Sequence, residues 1–282
     1  MLSYRHSFHA GNFADVLKHI VLMELLAHMT KKQKPFDYID THAGAGRYRL
    51  VADKAEKKPE WCNGIGRLFE SREEALLACP ALAAYFSVVR NMNRQGGLKV
   101  YPGSPLIAAS FLRERDRAWL YELHSSDFSL LEKEFGQNRQ VRVEKQDGLK
   151  SLLALLPCQS RRAVVLIDPS YEIKTDYQAV VETAQKALAK MANTVIAIWY
   201  PVVERSRIKR MQKALEKLPV EDVHQYELGI SGDDDDYGMT AAGLFVINPP
   251  WTLMPEMKSL LPFLAQQLTT DGELHYLCHK RV

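Results

Sequence analysis

The sequence predicts a mostly parallel α/β sheet of Rossmann-like design that carries a small helical insertion. Three observations predict it. Val164-Val165-Leu166-Ile167 is a short apolar run that stops at Asp168-Pro169, the pattern of a strand buried on both faces and ending in a rigid loop. A second such strand, residues 36–40, runs into Thr41-His42-Ala43-Gly44-Ala45-Gly46, so an acid precedes a G-x-G turn directly after a strand. From residue 118 onward, strand-like and helix-like segments alternate at the spacing of crossover connections.

The chain has 282 residues, enough for one large α/β domain. Hydrophobic residues make up 46% and charged residues 25%, ordinary for a soluble globular protein. A net charge of +3 neither demands nor opposes a polyanionic partner. Cys62, Cys79, Cys158 and Cys278 show no paired or metal-type spacing and read as reduced thiols. The first residues lack the apolar core of a signal peptide, and no apolar run reaches membrane-spanning length. The expectation is a cytoplasmic monomer with no membrane association.

Taken in order, residues 1–12 (MLSYRHSFHAGN) read as an irregular loop, and His6 and His9 have no further metal donors near them. Residues 14–30 set Val16, Leu17, Ile20, Val21, Leu25 and Leu26 at helical spacing, with Asn12 as N-cap. Taken singly, Lys18 and His19 on this helix read as an exposed lysine and a half-buried histidine. A Rossmann unit brings its next acid about 20 residues after the glycine turn. The first candidate here is Glu122, which closes a strand over residues 118–122. That gap predicts an inserted helical subdomain over residues 48–105. It would hold a turn at Gly64-Ile65-Gly66, helices near 70–78 and 80–93, and a return through Tyr101-Pro102-Gly103-Ser104-Pro105. The domain reading is therefore one domain over 1–282, with 1–35 forming an N-terminal cap loop and helix.

Residues 127–135 read as a helix, 141–145 as the third strand, and Gln146-Asp147-Gly148 as the loop at its tip. Helices follow at 149–156 and 177–191, with a strand at 194–200. Residues 204–218 form a basic amphipathic helix, which suits a solvated face and contact with a phosphate backbone equally well. Residues 223–228 and 242–247 are the last strands expected, and 257–267 the last helix. The aspartates at 233–236 are adjacent rather than alternating, so they read as a solvated acidic loop and not as a cation cage.

This order puts one polar group at the tip of each of four parallel strands. A nucleotide-like cofactor would meet the Gly44-Ala45-Gly46 turn. Glu122 would accept from ribose hydroxyls, Asp147 from an adenine amine, and the Gly148 N–H would donate. The layout serves a nicotinamide dinucleotide or S-adenosylmethionine. The first turn lacks the third glycine that packs a helix under a pyrophosphate, and Asp168-Pro169-Ser170-Tyr171 suits a grip on a nucleobase amine. Both favour the methyl donor. The fold class is thus α/β, a Rossmann-like class I S-adenosylmethionine-dependent methyltransferase with a small inserted helical subdomain.

Asp168-Pro169-Ser170-Tyr171, read with residues 40–46, resembles the Asp/Asn-Pro-Pro-Tyr/Phe signature of amino-methyltransferases. Further blocks resemble the RlmJ family of 23S ribosomal RNA adenine-N6 methyltransferases nearly end to end: Tyr4-Arg5-His6-Ser7-Phe8-His9-Ala10-Gly11-Asn12, Asp40-Thr41-His42-Ala43-Gly44-Ala45-Gly46-Arg47-Tyr48, Tyr101-Pro102-Gly103-Ser104-Pro105, Lys174-Thr175-Asp176-Tyr177 and Ile247-Asn248-Pro249-Pro250-Trp251. The resemblance implies cofactor contacts at His19, His42, Ser104, Glu122, Asp147, Gly148 and Asp168, with Asp168 catalytic. It also implies that Tyr4, His6 and Lys18 close over the target adenine. Pro169 and Tyr171 would touch the base through a carbonyl and a stacked ring. S-Adenosyl-L-methionine, leaving as S-adenosyl-L-homocysteine, would be the cofactor, with no metal, and free or early-assembly 23S rRNA the partner. Ser170 departs from the signature's second proline and predicts a less preorganised loop. Two other readings stand beside this one. A DNA adenine or cytosine amino-methyltransferase would need a recognition domain that the short insertion does not resemble. A catalytically weakened RNA-binding homologue would take Ser170 as a mark of decay.

Overall fold

Asn12 starts the first helix as its residue type predicts: its side-chain oxygen accepts the Asp15 N–H at 3.0 Å and caps α1 (Phe13–Thr30). The computed structural model describes residues 5–50, 59–79, 81–233 and 238–282. Here α1 departs from the amphipathic helix expected. It is buried almost all round, with Asp15, Lys18 and His19 buried alongside its leucines and valines, because α-helical and sheet neighbours cover it on several sides. Ahead of it, His6–Phe8 make a single 3₁₀ turn rather than irregular chain.

The strand β1 (Asp37–Asp40) is followed by the glycine turn and by β2 (Arg47–Arg49). Helices α2 (Ile65–Glu70), α3 (Arg72–Ala78) and α4 (Leu82–Met92) come next, then β3 (Val100–Pro102), which pairs antiparallel with β2 through Tyr48 and Tyr101. The helices thus occupy the stretch where an insertion is expected, and a two-stranded clasp that the sequence pattern did not predict closes it. Gly64-Ile65-Gly66 is not a free turn. The Ile65 N–H donates to the Gly11 carbonyl at 2.8 Å, and a Cβ on Gly64 would lie 2.2 Å from that same oxygen, so the segment is packed against the approach to α1.

The remaining elements alternate as predicted: α5 (Ser104–Ala109), β4 (Arg117–Tyr121), α6 (Ser125–Phe135), β5 (Val141–Glu144), α7 (Gly148–Leu155), β6 (Ala163–Ile167), α8 (Asp176–Lys190), β7 (Val195–Val202), α9 (Arg205–Leu215), β8 (Val223–Gly229), β9 (Ala241–Ile247), α10 (Leu253–Leu268) and β10 (Tyr276–Lys280). The sheet runs β10-β8-β9-β7-β6-β1-β4-β5. β7, β6, β1, β4 and β5 are parallel, whereas β9 lies antiparallel between β7 and β8, and β10 is antiparallel to β8. All seven expected strands are present. The eighth, β10, is an edge strand whose half-exposed residues show no alternation from which a strand could be read.

Strand order reverses between β1 and β6, which are neighbours in register, Asp40 opposite Leu166. This is the topological switch point of an open α/β sheet, where a crevice forms outside the carboxyl ends of the strands. Among the described residues no helix is long and apolar enough to cross a membrane. Asp234, Asp235 and Asp236 of the expected acidic loop lie outside the described residues; Asp233 is ion-paired with Arg205 at 2.7 Å.

Candidate active site

A cavity of about 940 Å³ opens at the switch point. His6, Lys18, His19, His42, Ser104, Glu122, Asp168, Pro169 and Tyr171 all line it, so segments far apart in sequence meet in one place. Asp147 and Gly148 do not line it. The Asp147 side chain accepts from the Leu149 and Lys150 N–H groups and caps α7, close enough for its charge to act on His42. Gly148 is held because a Cβ there would lie 2.0 Å from the Thr41 carbonyl oxygen. Tyr4 lies outside the described residues.

The centre of the cavity is a chain of charges. Lys18 Nζ lies 2.7 Å from Asp168 Oδ2 and 2.8 Å from Asp15 Oδ1. Asp15 Oδ2 meets His6 Nε2 at 2.9 Å and accepts the Gly11 N–H at 2.9 Å. Lys18 is therefore not the exposed lysine its type alone suggests; it is 5% exposed, between two carboxylates. A buried ammonium needs such partners, since desolvating it alone costs far more than the fold can offset. Burial pushes the Lys18 ammonium down, but Asp15 and Asp168 outweigh it and hold its pKa well above the ordinary value. Burial pushes the Asp168 carboxyl up, with the Lys18 charge pulling the other way. Sequence reading passed over Asp15. It is the i−3 neighbour of Lys18 on α1, and an acid in a first helical turn has an ordinary explanation in the helix dipole.

A second group of residues surrounds the tip of β1. Asp40 is fully buried; Tyr38 and Ser104 each donate to its Oδ2 at 2.7 Å, and burial pushes its pKa up to about 6. Gly44, at φ +61, donates its N–H to Glu122 Oε2 at 2.8 Å, and Glu122 Oε1 accepts the His124 N–H at 2.7 Å. The left-handed backbone at Gly44 is one that side chains resist, and a Cβ there would lie 2.2 Å from the Tyr48 hydroxyl. Glu122 is thus braced by backbone and retains a further lone pair on each oxygen for diol hydroxyls.

His19 supplies the test of whether a cofactor fits. Its Nδ1 pairs with the Tyr101 hydroxyl at 2.9 Å, while its buried Nε2 has no hydrogen-bond partner. A buried polar atom left unpaired at a cavity wall is explained by a ligand that pairs with it. With the braced Glu122, the open glycine turn and neutral imidazoles at His19 and His42, the wall fits a nucleoside linked to an amino acid, as in S-adenosylmethionine. Burial lowers His42 to about 4 and His19 to about 3. His19 also sets an acid limit on stability. Its folded pKa lies below the unfolded value of 6.5, so the stability it contributes is present above pH 6.5 and lost as pH falls towards 3. Melting temperatures should show His19→Gln shifting little between pH 7 and pH 5, where the parent falls.

The Asp168-Pro169-Ser170-Tyr171 loop is preorganised by a device other than a second proline. Tyr171 sits at φ +55, a strained conformation for a bulky residue. Its hydroxyl donates to the Trp199 carbonyl at 2.6 Å, and its ring packs 4.4 Å from Tyr177 and 6.1 Å from Trp199. Ser170 therefore does not leave the loop slack, against the expectation from its residue type. Trp199 itself lines the cavity and has a buried indole N–H without a partner, a second donor that sequence reading passed over. Tyr171→Phe removes the anchor but keeps the ring; single-turnover rates should fall about tenfold, with cofactor affinity unchanged.

Asn248-Pro249-Pro250-Trp251 matches the amino-methyltransferase signature more closely than residues 168–171 do, yet it lies at the other edge of the sheet. It follows β9, which is antiparallel to β7 and ends beside its start, Ile247 opposite Ile196. Strand direction, not motif similarity, decides which loop reaches the cavity. On α9, Arg207 lines the cavity with its guanidinium 5.9 Å over the Tyr177 ring, and Arg205 is taken up by Glu227 and Asp233. Among the described residues no group of three or more His, Cys, Asp or Glu side chains is placed to hold a metal ion.

Residues 33–277 match the family model described as ribosomal RNA large subunit methyltransferase D, RlmJ. The chain is 50% identical over 276 residues to the ribosomal RNA large subunit methyltransferase J of Escherichia coli K12, covering 98% of this chain and 97% of that one. It is 46% identical over 273 residues to the protein of the same description from Haemophilus influenzae, with 96% of each covered. A crystal structure of a Legionella pneumophila protein, 37% identical, superposes with a TM-score of 0.88 over 96% of this chain and 98% of that one.

Proposed function

The chain belongs to the RlmJ family of ribosomal RNA large subunit methyltransferases, and from that premise we propose that it methylates N6 of an adenine in 23S ribosomal RNA, using S-adenosyl-L-methionine. The observation that carries the choice of an exocyclic amine is Asp168-Pro169 at the tip of β6, inside the cavity and with only one carboxylate oxygen engaged by Lys18.

Adenine N6 is a poor nucleophile because its lone pair is delocalised into the ring. Asp168 Oδ1 accepts one N6–H and the Pro169 carbonyl the other, which draws the nitrogen towards sp³ geometry and localises the pair. Lys18 fixes Oδ2, so the carboxylate cannot rotate away and its charge is balanced in a buried setting. Tyr171, and Trp199 behind it, supply the aromatic wall against the base; stacking of this kind contributes about 1–3 kcal/mol per base. His6, held by Asp15 and packed edge-on to Tyr48 at 5.0 Å, lines the same cavity. Glu122, His19 and His42 would hold the cofactor, which when bound supplies an electrophilic methyl group. The proton leaving N6 is received at Asp168 Oδ1. The target base must be unstacked for its edge and face to be reached together. Cytoplasmic, monomeric action on rRNA that is free or early in assembly belongs to the same reading.

Incubation with labelled S-adenosylmethionine, unmodified 23S rRNA and, separately, duplex DNA tests it. Label is expected in N6-methyladenosine of the rRNA. Label in DNA, or in a base other than adenine, would overturn the assignment.

A further inference from the structure

The edge of the sheet remote from the cavity gathers exposed lysines and an exposed tryptophan. We propose that it is a second docking surface for the RNA substrate, binding phosphates through Lys31, Lys32, Lys34 and Lys258 and a single unpaired base on Trp251. The proposal rests on the ribosomal RNA reading above and extends it to a surface that takes no part in the chemistry.

Three sets of observations place these residues together. Lys31, Lys32 and Lys34 lie in the exposed segment after α1, just before β1, and so at the start of the parallel strands. Trp251 follows the antiparallel β9 and is therefore delivered to that same edge, as is Lys280, which lies opposite His224 at the start of β8. The Thr252 hydroxyl lies 3.4 Å from His28 Nδ1 on α1, and the charges of Lys31, Lys32 and Arg162 all act on that imidazole, so the lysine segment and the tryptophan loop form one continuous surface.

The edge is rigid where rigidity helps binding. Arg113 donates to the carbonyls of Thr30, Lys32 and Lys34, and Arg162 to those of Met29 and Lys34. Two arginines thereby pin the backbone of the segment and leave its ammonium groups turned out to solvent, with the Arg113 charge balanced by Asp116 at 2.8 Å. Asn248, at φ +53, donates to the carbonyls of Ala192 and Thr194 at 2.8 and 2.9 Å, which fixes the tryptophan loop in a conformation that most residues avoid. That loop holds an indole 81% exposed. Beside it lies a cavity of about 580 Å³, floored by Pro249, Met254 and Cys278 and edged by Lys258 and Lys280. The one acid in its lining, Asp222, is already paired with Lys280. A flat aromatic face held out beside cations is the arrangement that binds single-stranded nucleic acid without reading sequence.

Phosphate contacts release counterions, and each lost contact lowers the slope of log K against log[salt] by about 0.7–0.9. The triple variant Lys31→Glu, Lys32→Glu, Lys34→Glu is expected to weaken binding of unmodified 23S rRNA at least tenfold in filter-binding assays at physiological salt. Its salt slope should drop by about 2, with kcat at saturating RNA unchanged. Trp251→Ala should weaken binding about fivefold to tenfold and leave the salt slope unchanged, because stacking is not ionic. Should the triple variant melt early, Lys258→Glu on the exposed face of α10 carries the same charge test. Parent-like affinity and slope in the charge variants, or a change in the sedimentation of Trp251→Ala protein without RNA, would overturn the proposal, the latter by assigning the face to a second copy of the chain. Failure of the parent itself to methylate rRNA would instead sink the reading on which it rests.

Discussion

Asp168→Ala is expected to lower kcat about a thousandfold or more while S-adenosylmethionine still binds, as isothermal titration would show. On the proposed reading the carboxylate both orients N6 and receives its proton, and such combined roles account for roughly 10²–10⁴ in rate. On the same proposed reading Glu122, His19 and His42 hold the cofactor, so its affinity should fall only severalfold. Asp168→Asn is the sharper variant, since an amide oxygen could still accept an N6–H. Lys18 makes it fail. With Oδ2 already on the Lys18 ammonium, an asparagine can give its one oxygen either to Lys18 or to the base, and its NH₂ opposes whichever cation or N–H it faces. Activity of Asp168→Asn within tenfold of Asp168→Ala is the expected result. Near-parent activity would show that Asp168 orients and takes no proton.

The fold was legible because its signals are local. The Val164-Val165-Leu166-Ile167 run, the glycine turn after Asp40 and the N-cap at Asn12 each carry their meaning within a few residues. The cavity wall was legible where one strand supplies one tip residue, as with Glu122 and Asp168. Asp147 is ambiguous for the same reason: at a strand tip it could face a ligand or cap the next helix, and in the structure its side chain caps α7. What was not legible depends on pairings across the chain. The Lys18–Asp168 contact spans 150 positions, and nothing near Asp15 marks it as the group that holds both His6 and Lys18. Nor does a sequence state strand direction, so Asn248-Pro249-Pro250-Trp251 could be separated from the cavity only by the antiparallel pairing of β9.

Asp15→Asn is the second variant from which a large effect is expected, and it bears on stability and turnover together. Asp15 is 2% exposed; burial pushes its carboxyl up, but the charges of His6, Lys18 and His19 outweigh that and hold it well below the usual carboxylate range. Removing one partner of a buried charge pair costs roughly 3–5 kcal/mol, because the other is left uncompensated. Lys18 keeps Asp168, so the lower end, about 3 kcal/mol, is expected, a fall of about 6–12 °C in Tm for a chain of this size. The sign of its pH dependence follows from the depressed pKa. The stability Asp15 contributes is fully present above its unfolded pKa near 4 and is lost as pH falls through the folded value, so the Tm gap between parent and variant should be widest at neutral pH and narrow below about pH 4. Turnover should fall about a hundredfold, since Lys18 then answers to Asp168 alone and pulls that carboxylate out of line with N6, while His6 loses the acceptor that positions it. Unlike Asp168→Ala, the variant should also raise KM for the rRNA, since on the proposed reading His6 serves binding as well as geometry. A variant with parent Tm and parent kcat would show that Lys18 and His6 are positioned without Asp15.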